Sequence, residues 1–277
     1  MRWTAERSEA MKLSDSALDH FAENGYVVLR NAVSPDLIAA VTERADSLAA
    51  SDERIFRMSD GEFDGFRNLL FLDSSFLKLV DLERVLVPVI QIMGYNIHLS
   101  SLHLSYIYPK PEDRVWTGDW HSDIYGFEDD LREQSVRVSI KCAFPLTRHI
   151  TEDSGMTILL PGTHKSAYGG TLDLHDAHPP GALQLCLEPG DCLLFENRLR
   201  HSRGLNRGPA TRKCILIGYS FRWVMPLDSI EGLDLPPDDV SALAGDLLPR
   251  PYGVPGNGAI TALCQSHDLP LRPAKIL

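Results

Sequence analysis

Between residues 96 and 223 the chain is a succession of short β-type runs separated by turn signals, with no long helical pattern among them. The runs fall at about 97–108, 136–144, 156–160, 182–187, 192–195 and 213–223. Pro161-Gly162 and Pro189-Gly190-Asp191 punctuate them. Parallel neighbours need long crossovers, usually helical, and there is no room for them here. The pattern therefore predicts antiparallel strands closing into a double-sheet jelly roll, mainly β with flanking α-helices.

The flanks differ. Residues 14–93 read as helical, apart from a short β-type run at 26–30. Leu18 and Phe21 sit at helical spacing before the stop signal Asn24-Gly25. Ser34-Pro35-Asp36 opens a second helix with a capping hydroxyl, a proline in the first turn and an acid near the positive dipole end. Its apolar stripe is Leu37, Ile38, Val41, Ala45 and Leu48. A further helix is expected over 75–93, broken near Pro88. Beyond 223 the chain is rich in proline and glycine and reads as an irregular tail wrapping the domain. The whole of 1–277 is expected to form one domain: a helical part at 14–93, a jelly-roll core at 96–223 and a tail at 224–277.

Composition excludes some functions. A formal net charge of −11 argues against a nucleic-acid partner, which needs a basic face. The five cysteines have no paired or zinc-like spacing and read as reduced thiols, which implies a cytoplasmic setting. The apolar run at 85–93 is interrupted by Pro88 and Gln91, so no membrane span is expected. The amino-terminal residues lack the apolar stretch of a signal peptide. The charge says little about small substrates, whose pocket can carry its own local charge.

Trp120-His121-Ser122-Asp123 carries the first chemical signal. Residues two apart on an extended strand share a face, so His121 and Asp123 can aim an imidazole nitrogen and a carboxylate oxygen at one point. Two histidines and one carboxylate facing open positions are the ligand set of non-haem iron(II) oxygenases. A lone His-x-Asp is more often a turn or an exposed polar pair; the downstream residues shift the balance. His201 follows the run at 192–195, and Arg212 lies eleven residues later at the start of the next apolar run. A turn between them would bring Arg212 back alongside His201, where a guanidinium can clamp a carboxylate bidentately.

These stretches, with Asp153-Ser154-Gly155-Met156-Thr157-Ile158-Leu159-Leu160-Pro161-Gly162-Thr163-His164-Lys165, resemble the phytanoyl-CoA dioxygenase family of iron(II)/2-oxoglutarate oxygenases. The likeness covers roughly residues 15–223. It implies a cupin-like double-stranded β-helix with His121, Asp123 and His201 on iron(II) and Arg212 on the distal carboxylate of 2-oxoglutarate, with dioxygen as the oxidant. The implied reaction is hydroxylation or desaturation of an unactivated C–H bond, with release of succinate and carbon dioxide. Related halogenases replace the ligand carboxylate with a small residue, so Asp123 speaks against halogenation. Many members carry a small residue such as serine two positions after the distal histidine. This chain has Arg203 there, with Ser202 adjacent as the available hydroxyl. A cupin-like metal enzyme without 2-oxoglutarate, or a jelly-roll binding protein without catalysis, are the other classes to separate.

Other residues carry weaker signals. Tyr106 and Tyr108 share a face of the first β run, where the resemblance implies contacts to the oxo acid or the substrate; core aromatic positions explain them equally. Arg137, Ser139 and Lys141 form the polar face of the run at 136–144. That face is solvated by default, and would read an anionic substrate group if turned inward. Trp116, Trp120 and Phe127 could wall a pocket or simply pack. His164 reads as part of a structural turn. His98 and His103 would occupy opposite faces of a regular strand.

Overall fold

The computed structural model describes residues 11–51, 57–59, 63–111, 113, 120–123, 136–148, 153–165, 176, 178–229, 231–250, 256 and 258–271. Phe127 and Trp116 lie outside the described residues. In chain order the helices are α1 (Asp15–Asn24), α2 (Pro35–Ala50), α3 (Leu69–Leu72), α4 (Leu77–Val80), α5 (Glu83–Met93), α6 (Ala242–Leu247) and α7 (Ala259–Ser266). The strands are β1 (Tyr26–Leu29), β2 (Arg57–Ser59), β3 (Phe63–Phe66), β4 (Ile97–Ile107), β5 (Ser139–Pro145), β6 (Thr157–Leu160), β7 (Leu183–Gln184), β8 (Cys192–Glu196), β9 (Arg200–Arg203) and β10 (Arg212–Phe221).

Among the described residues the strands form two antiparallel sheets, as a jelly roll requires. One has seven strands in the order β1-β8-β5-β10-β4-β3-β2, the other three in the order β7-β6-β9. Helices α1, α2 and α5 contribute Phe21, Val41, Ala45, Val85, Leu86 and Ile90 to the main apolar core, against strand residues such as Leu102, Leu104 and Ile217. A second, smaller core of Ala143, Met156, Leu159, Phe195, Leu199 and Cys214 joins residues of both sheets. Burial of these apolar surfaces is what holds the two sheets together.

Local chemistry sets the boundaries. The Ser14 and Ser34 hydroxyls accept from the third residue beyond, capping α1 and α2. Gly25 ends α1 at φ 80° and donates its N–H to the Phe21 carbonyl at 2.8 Å. A Cβ there would lie 2.7 Å from the His164 ring. His164 itself, through Nε2, meets the Ala22 carbonyl at 3.0 Å, a structural contact between the end of α1 and the turn after β6.

Three expectations change. Pro88 sits inside α5, and the break falls earlier, between α4 and α5 near Asp81. The Pro88 ring lies in a helix whose Val85, Leu86, Val87, Val89, Ile90, Ile92 and Met93 are buried, and the core holds it in place. The chain beyond 223 is not wholly irregular: α6 and α7 place Ala244, Leu247, Ile260 and Leu263 in the main core. The buried Asp246 anchors that segment by accepting from the Ile260 N–H at 3.1 Å and from Arg250 at 3.1 Å. Lastly, β4 and β10 shift register between Gly218 and Tyr219, a β-bulge. His98 pairs with Ser220 and His103 with Leu216, so the bulge brings both histidines to one face. Gly218 permits the close approach: a Cβ there would stand 2.5 Å from the Ser101 hydroxyl.

Candidate metal centre and its cavity

The segment at 120–123 is stitched onto the small sheet. His121 and His201 exchange both backbone hydrogen bonds at 2.9 Å, extending the sheet beyond β9. The Asp123 N–H donates to the Asn197 carbonyl at 2.7 Å. The Asn197 side chain in turn accepts from Val138 and Ser139 at the entry to β5. On the other side of β9, His201 pairs with Leu159 of β6. His201 is thus fixed in the middle of three paired strands, not on a surface loop.

This framework gathers one nitrogen or oxygen from each of His121, Asp123 and His201 within 4.8 Å of one another. The imidazole rings lie 4.3 Å apart, and Asp123 Oδ2 is 3.8 Å from His201 Nε2. His201 Nδ1 donates to the Leu199 carbonyl at 2.9 Å, which fixes the tautomer and leaves Nε2 free to act as a ligand. Burial, opposed by Asp123, pulls the His201 imidazole down to about 4. It is therefore neutral near pH 7, as a metal ligand must be. Burial raises the Asp123 carboxyl, but Lys141 and the two histidines outweigh it and hold the group at about 2. A divalent ion fits this donor set, and two imidazoles plus one carboxylate suit iron(II).

The cluster opens into a cavity of about 290 Å³ between the two sheets. Arg212, 5% exposed, reaches it from the start of β10. Its Nη1 donates to the Ser105 hydroxyl at 3.1 Å, while Nε is buried without a hydrogen-bond partner. Among the described residues no carboxylate pairs with it. A buried guanidinium in that state is prepared for an incoming anion. Ser202 also lines the cavity, and Lys141 enters it with Nζ 3.2 Å from Asp123 Oδ2.

The remaining candidates go elsewhere. The Tyr106 and Tyr108 side chains do not reach the cavity; their hydroxyls donate to Asp46 at 2.5 Å and to Asp64 at 2.6 Å. The reason is strand parity, since Ser105 and Ile107 are the cavity-facing residues at the end of β4. Arg137 is drawn to Glu196 at 3.7 Å and to the Ile92 carbonyl at 3.1 Å, away from the cavity. Trp120 packs with Ile158 and Leu160 and donates its indole N–H to the Asp176 carbonyl. Sequence reasoning missed Ser105, Arg67 and the short strands β2 and β3, which bring Met58 and Phe63 to the cavity. Pairing Arg212 with Ile107 would have exposed Ser105, but nothing local marks Arg67.

Fold and site together define a jelly-roll protein built around a cluster of two histidines and one carboxylate. The family model for phytanoyl-CoA dioxygenase (PhyH) matches residues 21–214, well over half of the 277, and the chain belongs to that family. The peroxisomal phytanoyl-CoA dioxygenase of Mus musculus is 26% identical over 233 residues, covering 70% of this chain; the chain spans 64% of that relative's length. Among solved structures, EctD from S. alaskensis with bound iron superposes with a TM-score of 0.62 at 19% identity, covering 77% of this chain and 80% of that one. HygX from Streptomyces hygroscopicus, with nickel and 2-oxoglutarate bound, gives 0.63 at 15% identity, covering 77% and 89%. At such identities these likenesses establish the shared fold.

Proposed function

We propose that this chain is an iron(II)- and 2-oxoglutarate-dependent dioxygenase acting on an unactivated C–H bond of a small molecule, by hydroxylation or desaturation, in secondary or amino-acid-like metabolism. The observation that carries the reading is the convergence of His121, Asp123 and His201 on one cavity with the carboxylate-free Arg212. Bound to the three ligands, iron(II) would supply the dioxygen-driven decarboxylation of 2-oxoglutarate to succinate and carbon dioxide, coupled to oxidation of the substrate.

The chain's own part is positional. His201 is held in its tautomer by the Leu199 carbonyl, and the paired backbones of residues 121 and 201 set the spacing of the imidazoles. Arg212, steadied by Ser105, holds the far carboxylate of the oxo acid, and Ser202 borders the same space. Phe195 and Leu216 present apolar walls that limit water near the reacting centre. The membership of one family and the iron, nickel and 2-oxoglutarate named for structural neighbours support this reading. No disulfide joins any of the five cysteines, consistent with a cytoplasmic enzyme. Among the described residues no helix is long and apolar enough to cross a membrane.

Succinate release tests the proposal. Wild type with iron(II), 2-oxoglutarate and dioxygen should form succinate, and His121→Ala or Asp123→Ala should abolish it. Undiminished turnover in either variant refutes the ligand assignment. Turnover of substrate without 2-oxoglutarate, insensitive to Arg212→Met, would instead support a cupin-like metal enzyme.

A further inference from the structure

Resting on the proposed function, the cavity also carries information about the substrate. Its described walls hold the cations Arg67, Lys141, Arg203 and Arg212, and the single carboxylate Asp123. In a chain of net charge −11, this is a local reversal of sign. Arg203 stacks over the Phe63 ring at 5.1 Å and makes other contacts. Arg67, Lys141 and Arg212 against Asp123 still leave two positive charges in excess. An iron(II) ion and a 2-oxoglutarate dianion cancel one another and do not change that excess.

Among the described residues, two of these cations lack an anionic partner of their own once the metal takes Asp123. Arg67 Nη1 donates to the His103 ring, 2.7 Å from Nε2, and among the described residues makes no ion pair with a carboxylate. Asp228 stands behind His103, 3.6 Å from its Nε2, and accepts from the Leu102 N–H. Burial, together with the neighbouring Arg67 and Lys141 charges and against Asp228, pulls the His103 imidazole down, so it adds no charge of its own. Lys141 has its ammonium on Asp123 Oδ2, the oxygen that also faces His201 Nε2. A metal ion taking that oxygen puts a like charge against the ammonium and weakens its hold on Asp123, so that another anion in the cavity becomes the better partner for it.

We infer that the substrate is a small molecule with an anionic group, carboxylate or phosphate, and that Lys141, released from Asp123 by the metal, and Arg67 pair with that group. The cavity thus has two anion-reading positions: Arg212 for the co-substrate, and the Lys141–Arg67 side for the substrate. Neutral molecules of the same shape would leave both cations desolvated and unpaired, which is the strongest kind of discrimination a pocket exerts.

The test is binding under anaerobic conditions to the chain loaded with iron(II) and 2-oxoglutarate. The probes are a panel of small carboxylic acids and phosphate monoesters, each beside its neutral counterpart: the methyl ester, the primary amide or the parent alcohol. Calorimetric titration should show acids binding at least tenfold tighter than their counterparts, and the acid or phosphate arm that responds identifies the anion. Lys141→Met and Arg67→Met should each erase the preference, and Lys141→Arg should keep most of it. Equal binding of charged and neutral members, no response from any acid, or selectivity surviving in both methionine variants overturns the inference. Iron(II) and 2-oxoglutarate binding are measured first in the same samples. Their absence in wild type overturns the proposed function and this inference with it; their presence without acid selectivity overturns this inference alone.

Discussion

Lys141→Met should weaken the metal-free protein and strengthen its grip on metal. Lys141 Nζ and Asp123 Oδ2 lie 3.2 Å apart, with side chains 13% and 5% exposed. At an effective dielectric near 20, that separation gives a gross attraction of about 5 kcal/mol. Desolvation takes back part of it. The Asp123 carboxyl is held at about 2 rather than 3.8 despite burial, with Lys141 the leading favourable charge; that depression corresponds to roughly 2.5 kcal/mol. Removing the ammonium from the apo protein should therefore cost about 2–4 kcal/mol, or roughly 3–7 °C in melting temperature for a chain of this size. A bound divalent ion supplies the missing positive charge and no longer has to displace an ammonium. The melting deficit should shrink under saturating metal, and the metal dissociation constant should fall about tenfold or more. Differential scanning fluorimetry with and without manganese(II), joined to anaerobic iron(II) titration, reads both effects. A deficit unchanged by metal, or weaker metal binding in the variant, would refute the reasoning.

Arg212→Met should raise the dissociation constant for 2-oxoglutarate by about 30-fold to about 4,000-fold, the span of about 2–5 kcal/mol for truncating one member of a buried charge pair. Metal affinity should stay unchanged, and Arg212→Lys should fall between the two because it keeps the charge but not the fork; anaerobic titration checks all three. The apo protein should lose stability on acidification. Burial, then the Arg222 charge, holds the His98 imidazole at about 4 against 6.5 when unfolded. Its folded value is the lower one, so its contribution is whole above pH 6.5 and is lost as pH falls towards 4, roughly 3 kcal/mol in all. His98→Gln should flatten that part of a urea-midpoint profile, and a profile identical to wild type would contradict the assignment.

The part of the fold written in short-range signals was legible. Ser14, Gly25 and Ser34 cap and stop helices through contacts within a few residues, and β4, β5, β8 and β10 show as apolar runs bounded by turns. The strands at 57–59 and 63–66 are too short to show a period and owe their pairing to β4. The helices at 242–247 and 259–266 depend on Asp246 and on docking to the core, which no local pattern reveals.

The site divides the same way. His121 and Asp123 share one motif, and His201 and Arg212 stand at a spacing that a two-strand return can use. At the far end of β4, Tyr106 and Tyr108 share a face as the pattern implies, but it is the face of Asp46 and Asp64, and Ser105 meets Arg212 instead. The bulge opposite Gly218 likewise reverses the expected separation of His98 and His103. Lys141 turns inward and Arg137 does not, because Glu196 and the Ile92 carbonyl take the arginine.

The most direct test of the account is anaerobic iron(II) titration followed by 2-oxoglutarate. Wild type should bind one ion per chain and take up 2-oxoglutarate only after the metal. His201→Ala, which keeps the paired backbone of residues 121 and 201, should lose both. Tight stoichiometric iron(II) binding by that variant, or 2-oxoglutarate uptake indifferent to the metal, would contradict a shared metal centre of His121, Asp123 and His201.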